Sequence, residues 1–318
     1  MANTLKTTVK LSALNLGAIA AANPQIVVPN FARDALSAGI VHFGVGNFHR
    51  SHQIVASMID FLPVANSAAI LAQLAQPNIR IVSMTVTEGG YFINAATGQF
   101  DPTHSAIVED AKDPTFIAAL PTNAAGKFFF FVQILTKCLL QKKTNPRTVF
   151  GLIVTALGRR RANGTPPFTI LSCDNVVKNG EMAHNACVGT ARALGQTELA
   201  DWISENVAFP NGMVDRITPM TGDIERVACQ QNHGIEDAWP VFCESFKQWV
   251  LEDNFPAGRP ALGKVGVQFV PDVTPYEIMK LRLLNGGHAA IAYPAALLDI
   301  KFAHNAMQNK LISAFFFY

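Results

Sequence analysis

The stretch that decides the fold is residues 40–50, which read IVHFGVGNFHR. Residues 40–45 form a short apolar run typical of a buried strand, and a helical pattern follows over residues 48–62. The Gly44-Val45-Gly46 turn between them would let the backbone approach a pyrophosphate at the N-terminus of the helix. His49 stands where the usual third glycine would be, so an ordinary strand-to-helix turn remains open as the alternative.

Strands and helices continue to alternate downstream of this unit. In chain order the pattern predicts a strand over 79–86, a helix over 149–161, a strand over 168–173 and a helix around 181–194. Because strands that alternate with helices usually pair in parallel, we expect a parallel sheet that is covered on both faces.

The pattern changes after residue 201 to mixed loops and helices. It predicts one more strand over 265–270 and a long helix that starts near Pro275, with Thr274 as its cap. The expected fold class is therefore α/β, with a parallel-sheet domain followed by a mainly helical one. We expect three segments, which are an N-terminal extension at 1–37, the sheet domain at 38–205 and the helical domain at 206–318.

The composition argues against several classes of protein. The 318 residues are 49% hydrophobic and 15% charged, and the net charge of +2 gives no basic field for a nucleic-acid partner. The five cysteines are widely spaced without a CxxC pair, which favours reduced thiols in the cytoplasm over disulfides or a zinc ribbon. The most apolar run, residues 128–140, contains Lys137 and is too short to span a bilayer.

Two short segments carry polar side chains suited to ligand binding. Asn175 ends a Ser-Cys-Asp-Asn sequence at the carboxyl end of a predicted strand, where ligands collect in open α/β sheets. An Asx turn that closes the strand is the alternative there. Asp215 and Arg216 are adjacent in an apolar setting, and they could orient a polyhydroxy ligand or form a plain ion pair.

A third polar set lies in the long C-terminal helix. At about 100° per residue, one face of a regular α-helix would carry Glu277, Lys280, Asn285 and His288. Burial among leucines lowers the pKa of a lysine, which lets it accept a proton from an alcohol near neutral pH. Asn285 could donate to a developing oxyanion, and His288 could orient a hydroxyl. The alternative is a solvated face with one salt bridge, and Gly286-Gly287 could end the helix.

Three histidines, His42, His49 and His52, lie around the glycine turn. They could suggest a metal ion, but no cluster of carboxylates accompanies them. We therefore expect no metal site.

Taken together, these segments resemble the polyol-specific long-chain dehydrogenases of the mannitol dehydrogenase family. The resemblance covers residues 39–53, 79–92 and 148–308, and it includes the signature stretch VDRITP at 214–219. It implies a Rossmann-like, NAD-binding domain followed by a helical substrate domain. The implied activity is metal-independent interconversion of D-mannitol and D-fructose by hydride transfer at C2. The implied partner is a small polyol or ketose, and we expect a monomer.

The resemblance also implies a role for each candidate residue. Lys280 matches the acid–base lysine, Asn175 and Asn285 match the amide pair that polarises the C2 oxygen, and His288 matches a substrate-orienting histidine. Glu277 matches an acid that gates proton exchange, and Asp215 with Arg216 is the expected substrate contact. The expected cofactor loop is Gly44, Val45, Gly46, Asn47 and Phe48.

This sequence departs from the family pattern in several places. Family members have a further strand that ends in an acidic ribose-binding residue, whereas residues 53–77 read as helical here and Asp60 is not assigned to the ribose. The choice of NAD over NADP therefore rests on the family alone. The runs at 127–145 and 309–318 leave the pattern, and the helical domain is expected to be truncated, as in an imperfect gene model or a splice form. The alternatives are a related hexuronate (fructuronate or tagaturonate) reductase and an inactive family member.

Overall fold

The computed structural model describes residues 9–10, 16–22, 25–53, 57–63, 65–94, 96–112 and 148–317. The run at 127–145, which is expected to leave the family pattern, and Tyr318 lie outside these residues.

Strands form three small sheets in the described part of the chain. They are β1 (Val9–Lys10), β2 (Ile40–Phe43), β3 (Ile81–Met84), β4 (Thr169–Ser172), β5 (Gly212–Asp215), β6 (Ile235–Glu236), β7 (Gln248–Glu252) and β8 (Gln268–Val270). One sheet has the order β2-β3-β4 and is parallel throughout. In the second, β5 is antiparallel to β7 and β7 is parallel to β8. Strands β1 and β6 form a parallel pair.

Helices connect and cover these strands. They are α1 (Leu16–Ala22), α2 (Asn47–His52), α3 (Ser67–Leu74), α4 (Ser105–Ala111), α5 (Val149–Ala162), α6 (Asn179–Ala193), α7 (Thr197–Asn206), α8 (Asp223–His233), α9 (Thr274–Met279), α10 (Gly286–Leu297), α11 (Ala303–Gln308) and α12 (Lys310–Phe317). Short 3-10 turns occupy Arg33–Ala35, Glu88–Tyr91 and Leu262–Val265, and a π-helical turn spans Lys280–Asn285.

The predicted parallel sheet is confirmed, and it is covered on both faces. Successive residues of a strand point to opposite sides, so Val82 packs into the core beneath the helices while Ile81 packs on the other side. On that second side the cover is supplied by Leu251 of β7 and Leu262 of a 3-10 turn. The second sheet therefore packs against the first. The end of β4 lies near the start of β5, because a Cβ atom on Gly212 would lie 3.8 Å from the carbonyl oxygen of Ser172.

Helix α5 lies at the centre of the main core. Nine of its first ten residues are apolar, and all ten except Val149 are buried. A helix that is hydrophobic on all its faces is expected to lie inside the core in this way. Thr148 caps the helix, because its Oγ1 accepts a hydrogen bond of 2.9 Å from Gly151 N. At the other end the buried Arg160 guanidinium donates to four backbone carbonyls, those of Leu74, Gln76, Ile79 and Pro166. The last helix of the long connection between β3 and β4 is therefore capped at its start and hydrogen-bonded to the surrounding backbone near its end.

The helix expected over 48–62 is much shorter in the structure. Helix α2 ends at His52, the following Gln53 is extended, and the described residues 58–63 are irregular. The end is set by a distant side chain, because Arg216 donates to the carbonyl of Ser51 and takes up one of the free acceptors of the last turn. No strand lies between His52 and Ile81 in the residues described there.

Two predictions for the C-terminal half also need correction. Strand β8 begins only at Gln268, because Leu262–Val265 forms a 3-10 turn and Gly266 takes a positive φ of 97°. The final long helix does start at the expected place, but Thr274 is its first residue rather than its cap. The carboxylate of Asp272 accepts from Thr274 N at 2.9 Å instead.

Candidate active site

Lys280 lies among acceptors contributed by two separate segments. Its Nζ donates to Asn175 Oδ1 at 2.7 Å and to the carbonyl oxygen of Val214, and Asp215 Oδ1 lies 3.6 Å away. The Lys280 side chain is 10% exposed and the Asp215 side chain 15% exposed, so the cluster is largely removed from water. The structure therefore brings together Lys280, Asn175 and Asp215.

The fold explains this meeting. Asn175 follows β4, Asp215 is the last residue of β5, and Lys280 begins the π-helical turn after α9. The carboxyl end of a parallel strand is where ligands bind in open α/β sheets, and Asn175 lies exposed there. Lys280 and Asn175 thus lie in one site, and Asn175 is open to solvent there.

The surroundings of Lys280 act on its proton affinity in opposite directions. Burial lowers the pKa of Lys280 from its ordinary value, and the neighbouring Asp215 carboxylate partly offsets this effect. Burial is the larger influence, so the net shift is downward. A lysine of lowered pKa is more often neutral and can act as a base.

Glu277 is buried one turn before Lys280, where it contacts a different segment. Its Oε1 accepts a hydrogen bond of 3.0 Å from Lys178 N, the residue that precedes α6. Burial raises the pKa of Glu277 above its usual range. Glu277 therefore ties the lysine helix to the start of α6.

Asn285 and His288 are not joined to this cluster. Both are exposed, and neither side chain makes a hydrogen bond or ion pair within the part of the chain that the structure describes. The turn from Lys280 to Asn285 is π-helical rather than α-helical, so each residue advances by less than about 100° and Asn285, five residues on, lies nearer to the face of Lys280 than a regular α-helix would place it. The shared face with Asn285 and His288 stays a prediction. Gly286-Gly287 does not end the helix, and His288 lies at the wall of a shallow cavity lined by Ile291 and Phe302.

The glycine turn has the geometry that a close approach needs. Gly44 takes a φ of +90°, and a Cβ atom there would lie 1.9 Å from the carbonyl oxygen of Thr85. A Cβ on Gly46 would meet no atom within 4 Å, so open space lies over this residue. Gly46 immediately precedes α2, and Val45 beside it is exposed.

Of the remaining members of the predicted cofactor loop, Asn47 contacts a distant segment and Phe48 contacts its own helix. Asn47 accepts a hydrogen bond from Trp239 Nε1 at 2.7 Å and donates to Thr221 Oγ1 at 3.4 Å. The Phe48 ring lies 5.1 Å from that of His52. The loop is thereby attached to the segment that follows β5.

The guanidinium group of Arg216 is hydrogen-bonded to backbone carbonyl oxygens. Its guanidinium donates to Glu244 O through Nε at 3.0 Å and through Nη2 at 2.9 Å, and to Ser51 O through Nη1. In this structure Arg216 joins the end of α2 to the loop before β7. Its expected contact with a substrate stays a prediction.

Sequence reasoning missed two residues that shape the site. The buried Asp174 carboxylate accepts from Thr87 N at 2.8 Å, Val86 N at 3.1 Å and the Tyr91 hydroxyl at 2.6 Å, and it so fixes the loop after β3. The fully buried Asn179 bonds to the backbone on both sides of the site. Asp174 lies directly before Asn175, so a buried acid beside the candidate amide was the available signal.

The histidines around the glycine turn pack against one another. The rings of His42 and His49 are stacked with centroids 3.7 Å apart, and His42 Nδ1 lies 2.8 Å from Ser83 Oγ. Burial, reinforced by the charge of His49, lowers the pKa of His42 to about 3. Burial also lowers the pKa values of His49 and His52. Among the described residues no three or more His, Cys, Asp or Glu side chains are grouped as metal ligands would be.

The low pKa of His42 makes stability depend on pH. The unfolded chain takes up this proton as the pH falls through about 6.5, whereas the folded chain does so only near 3. Stability should therefore decrease as the pH falls from about 6.5 towards 3. The urea midpoint of unfolding should drop between pH 7 and pH 5, and the drop should be smaller in His42→Asn. An unchanged drop in that variant would contradict this assignment, and His233→Asn, at an exposed position, serves as the control.

No described helix is both long and apolar enough to cross a membrane.

Two family models match the chain. The mannitol dehydrogenase Rossmann domain matches residues 53–264, and the mannitol dehydrogenase C-terminal domain matches residues 272–317. The second match includes the terminal run from 309, so the expectation that this run leaves the family pattern is wrong. In the structure this run forms α12, where Ile312 is buried.

Relatives of known name cover nearly all of the chain. A mannitol 2-dehydrogenase of Cereibacter sphaeroides is 44% identical over 92% of this chain, and one of Pyrenophora tritici-repentis is 36% identical over 97%. The chain spans 66% of the length of the first relative and 59% of the second.

Solved structures show the same fold. The ternary complex of Pseudomonas fluorescens mannitol 2-dehydrogenase with NAD and D-mannitol is 37% identical, with a TM-score of 0.80 over 97% of this chain and 67% of that one. A D-sorbitol dehydrogenase in substrate-free form is 35% identical, with a TM-score of 0.77 over 90% of this chain and 65% of that one. The fold is thus a Rossmann-like parallel sheet with helices, followed by a helical region. The chain belongs to the mannitol dehydrogenase family.

Proposed function

We propose that this chain is an NAD-dependent oxidoreductase that interconverts D-mannitol and D-fructose by hydride transfer at C2, without a metal. The observation that carries the proposal is the largely buried side chain of Lys280, held between Asn175 and Asp215. Support comes from relatives named mannitol 2-dehydrogenase and from a solved relative that holds both NAD and D-mannitol. We retain the division into a cofactor domain at 38–205 and a substrate domain at 206–318 as part of the proposal.

The glycine turn fits a dinucleotide. Open space over Gly46 leaves its backbone accessible, and Gly44 allows the chain to turn against Thr85 with no side chain in the way. The residues that would hold the cofactor are Gly44, Val45, Gly46, Asn47 and Phe48. When bound, NAD supplies the hydride acceptor for oxidation and the hydride donor for reduction.

Lys280 would move the proton. In oxidation the neutral amine accepts the proton of the C2 hydroxyl, and in reduction the ammonium returns it to the C2 oxygen. Asn175 accepts from Lys280 through its Oδ1, which leaves its Nδ2 group to donate to the substrate oxygen. The Asp215 carboxylate, with Oδ1 3.6 Å from Lys280 Nζ, stabilises the ammonium form of the lysine.

We assign the remaining roles from the family resemblance. Asn285 would complete the amide pair at the C2 oxygen, His288 would orient a hydroxyl, and Glu277 would gate proton exchange. Asp215 and Arg216 would contact the substrate. Because Asn285 and His288 are exposed and outside the Lys280 cluster, these two assignments require the substrate to extend along the helix.

The proposal is tested by binding and turnover with the purified chain. NAD at about a hundred times its Kd should add about 2.7 kcal/mol of stability and raise the melting temperature by several degrees. D-Mannitol with NAD should yield NADH, and the same assay with NADP measures the cofactor preference. A preference for hexuronates over fructose in the reductive direction would replace the proposal by a hexuronate reductase. Absence of any NAD-induced shift would indicate an inactive family member.

We also propose that the chain acts as a monomer in the cytoplasm, on a small polyol or ketose and without a nucleic-acid partner. Sedimentation of the purified chain at several concentrations should give the mass of one protomer. A mass that increases with concentration would contradict this part of the proposal.

A further inference from the structure

Asn179, the first residue of α6, makes hydrogen bonds that join two separate parts of the fold. It is fully buried, and its Nδ2 donates to Asp174 O at 3.0 Å and to Gly212 O at 2.7 Å. Its Oδ1 accepts from Gly212 N at 2.9 Å. The side-chain amide therefore pairs with Gly212 as a strand residue would, while it also holds the segment that follows β4.

The two segments joined by Asn179 are the ones that contact Lys280. Asp174 directly precedes Asn175, and Gly212 begins the strand that ends in Val214 and Asp215. Strands β4 and β5 belong to different sheets, so no strand ladder sets the separation of Asn175 from Asp215. One backbone hydrogen bond of 3.0 Å, from Ile170 N to Ala208 O, joins β4 to the chain before β5. The Asn179 side chain adds a second cross-link, through Asp174 and Gly212, closer along the chain to the acceptors of Lys280 Nζ.

The packing around Asn179 leaves little freedom for this link to move. A Cβ on the next residue, Gly180, would lie 2.5 Å from the carbonyl oxygen of Phe209, so the start of α6 is pressed against the chain before β5. Gly180 N also donates to Asn211 Oδ1 at 3.0 Å. On the other side of Asn179, Lys178 N donates to Glu277 Oε1 at 3.0 Å, so the helix start is held on both sides.

We propose that Asn179 is a positioning residue whose side-chain amide fixes Asn175 and Asp215 around the acid–base lysine. It reaches neither substrate nor cofactor in this role and acts through the backbone of its neighbours. The inference rests on the proposed function, because it assigns to Asn179 the geometry of that same site. Its consequence is that the proton affinity of Lys280 depends on a residue that does not touch it.

The test uses the reactivity of Lys280, which requires no turnover. Competitive acetylation of the intact chain across pH, followed by mass spectrometry of the peptide that contains Lys280, measures the pKa of this amine. In Asn179→Ser the Asn175 and Asp215 acceptors are held less closely, so the protonated form loses stabilisation. We expect this pKa to fall by about half a unit or more relative to the wild type. Asn179→Asp, which keeps the acceptor for Gly212 N but loses both donations, should also shift it.

Thr190→Val is the matched control. Thr190 is fully buried in the same helix, and its hydroxyl has no partner among the described residues. This variant should leave the pKa of Lys280 and the pH profile of mannitol oxidation unchanged. An Asn179→Ser protein that melts earlier but keeps the wild-type pKa of Lys280 would overturn the positioning role, since Asn179 would then be structural only. A shifted pKa together with no oxidation of mannitol by the wild type would support the positioning role while rejecting the proposed function.

Discussion

Lys280→Met should lower the rate of mannitol oxidation by about a thousandfold, the contribution usual for a positioned acid or base, while NAD binds as before. Methionine keeps the length and apolar character of the lysine stem but cannot take up a proton. The loss should appear in kcat, because the variant removes the group that accepts the hydroxyl proton during the chemical step. Initial rates of NADH formation and the NAD-induced shift in melting temperature provide the two measurements.

Lys264→Met is the control for this substitution. Lys264 is an exposed lysine in the 3-10 turn before β8, and it has no hydrogen bond or ion pair with Asn175, Val214 or Asp215, so its loss removes one charge without changing the polar cluster. Its rate should match that of the wild type. If Lys280→Met retained a third or more of the wild-type rate, Lys280 would not be the acid–base group.

Gly44→Ala should destabilise the fold by about 3 kcal/mol or more. The new Cβ would lie 1.9 Å from Thr85 O and 2.8 Å from the Thr85 carbonyl carbon, and the φ of +90° would be strained for alanine. Both atoms belong to the backbone at the end of β3, so the clash cannot be relieved by a side-chain rotation. Urea unfolding at pH 7 measures the change.

Gly46→Ala separates stability from cofactor binding. A Cβ there meets no atom within 4 Å, so the unliganded protein should stay within about 0.5 kcal/mol of the wild type. If the cofactor occupies the open space over Gly46, the methyl group should weaken NAD binding by about tenfold or more. Unchanged NAD affinity in Gly46→Ala would place the cofactor elsewhere.

Most of the regular elements near the sheet could be predicted from the sequence. Strands β3 and β4 are short apolar runs, and both are buried along their whole length as a sheet covered on two faces requires. Helix α5 has a side-chain cap and an uninterrupted apolar stretch, and its bounds agree with the prediction to within one residue. Local pattern and tertiary environment favour the same structure at these places.

Elements whose ends depend on distant contacts could not be predicted in this way. Helix α2 ends where Arg216 binds the carbonyl of Ser51, a residue 165 positions away. The π-helical turn at Lys280–Asn285 is invisible to an analysis that assumes 100° per residue. The α-helical geometry assumed for the predicted face therefore does not hold over this turn. The meeting of Lys280 with Asn175 and Asp215 is seen in the structure, and the place of Asn285 and His288 on the same face stays a prediction.

The pH dependence of kcat/KM for mannitol oxidation by the intact chain tests the central claim most directly. Oxidation needs neutral Lys280, so kcat/KM should rise with pH and level off at an apparent pKa below the lysine value of 10.5. In the reductive direction the rate should instead fall as the pH rises through the same ionisation. A profile that keeps this ionisation and its amplitude in Lys280→Met would contradict the assignment of Lys280 as the acid–base residue.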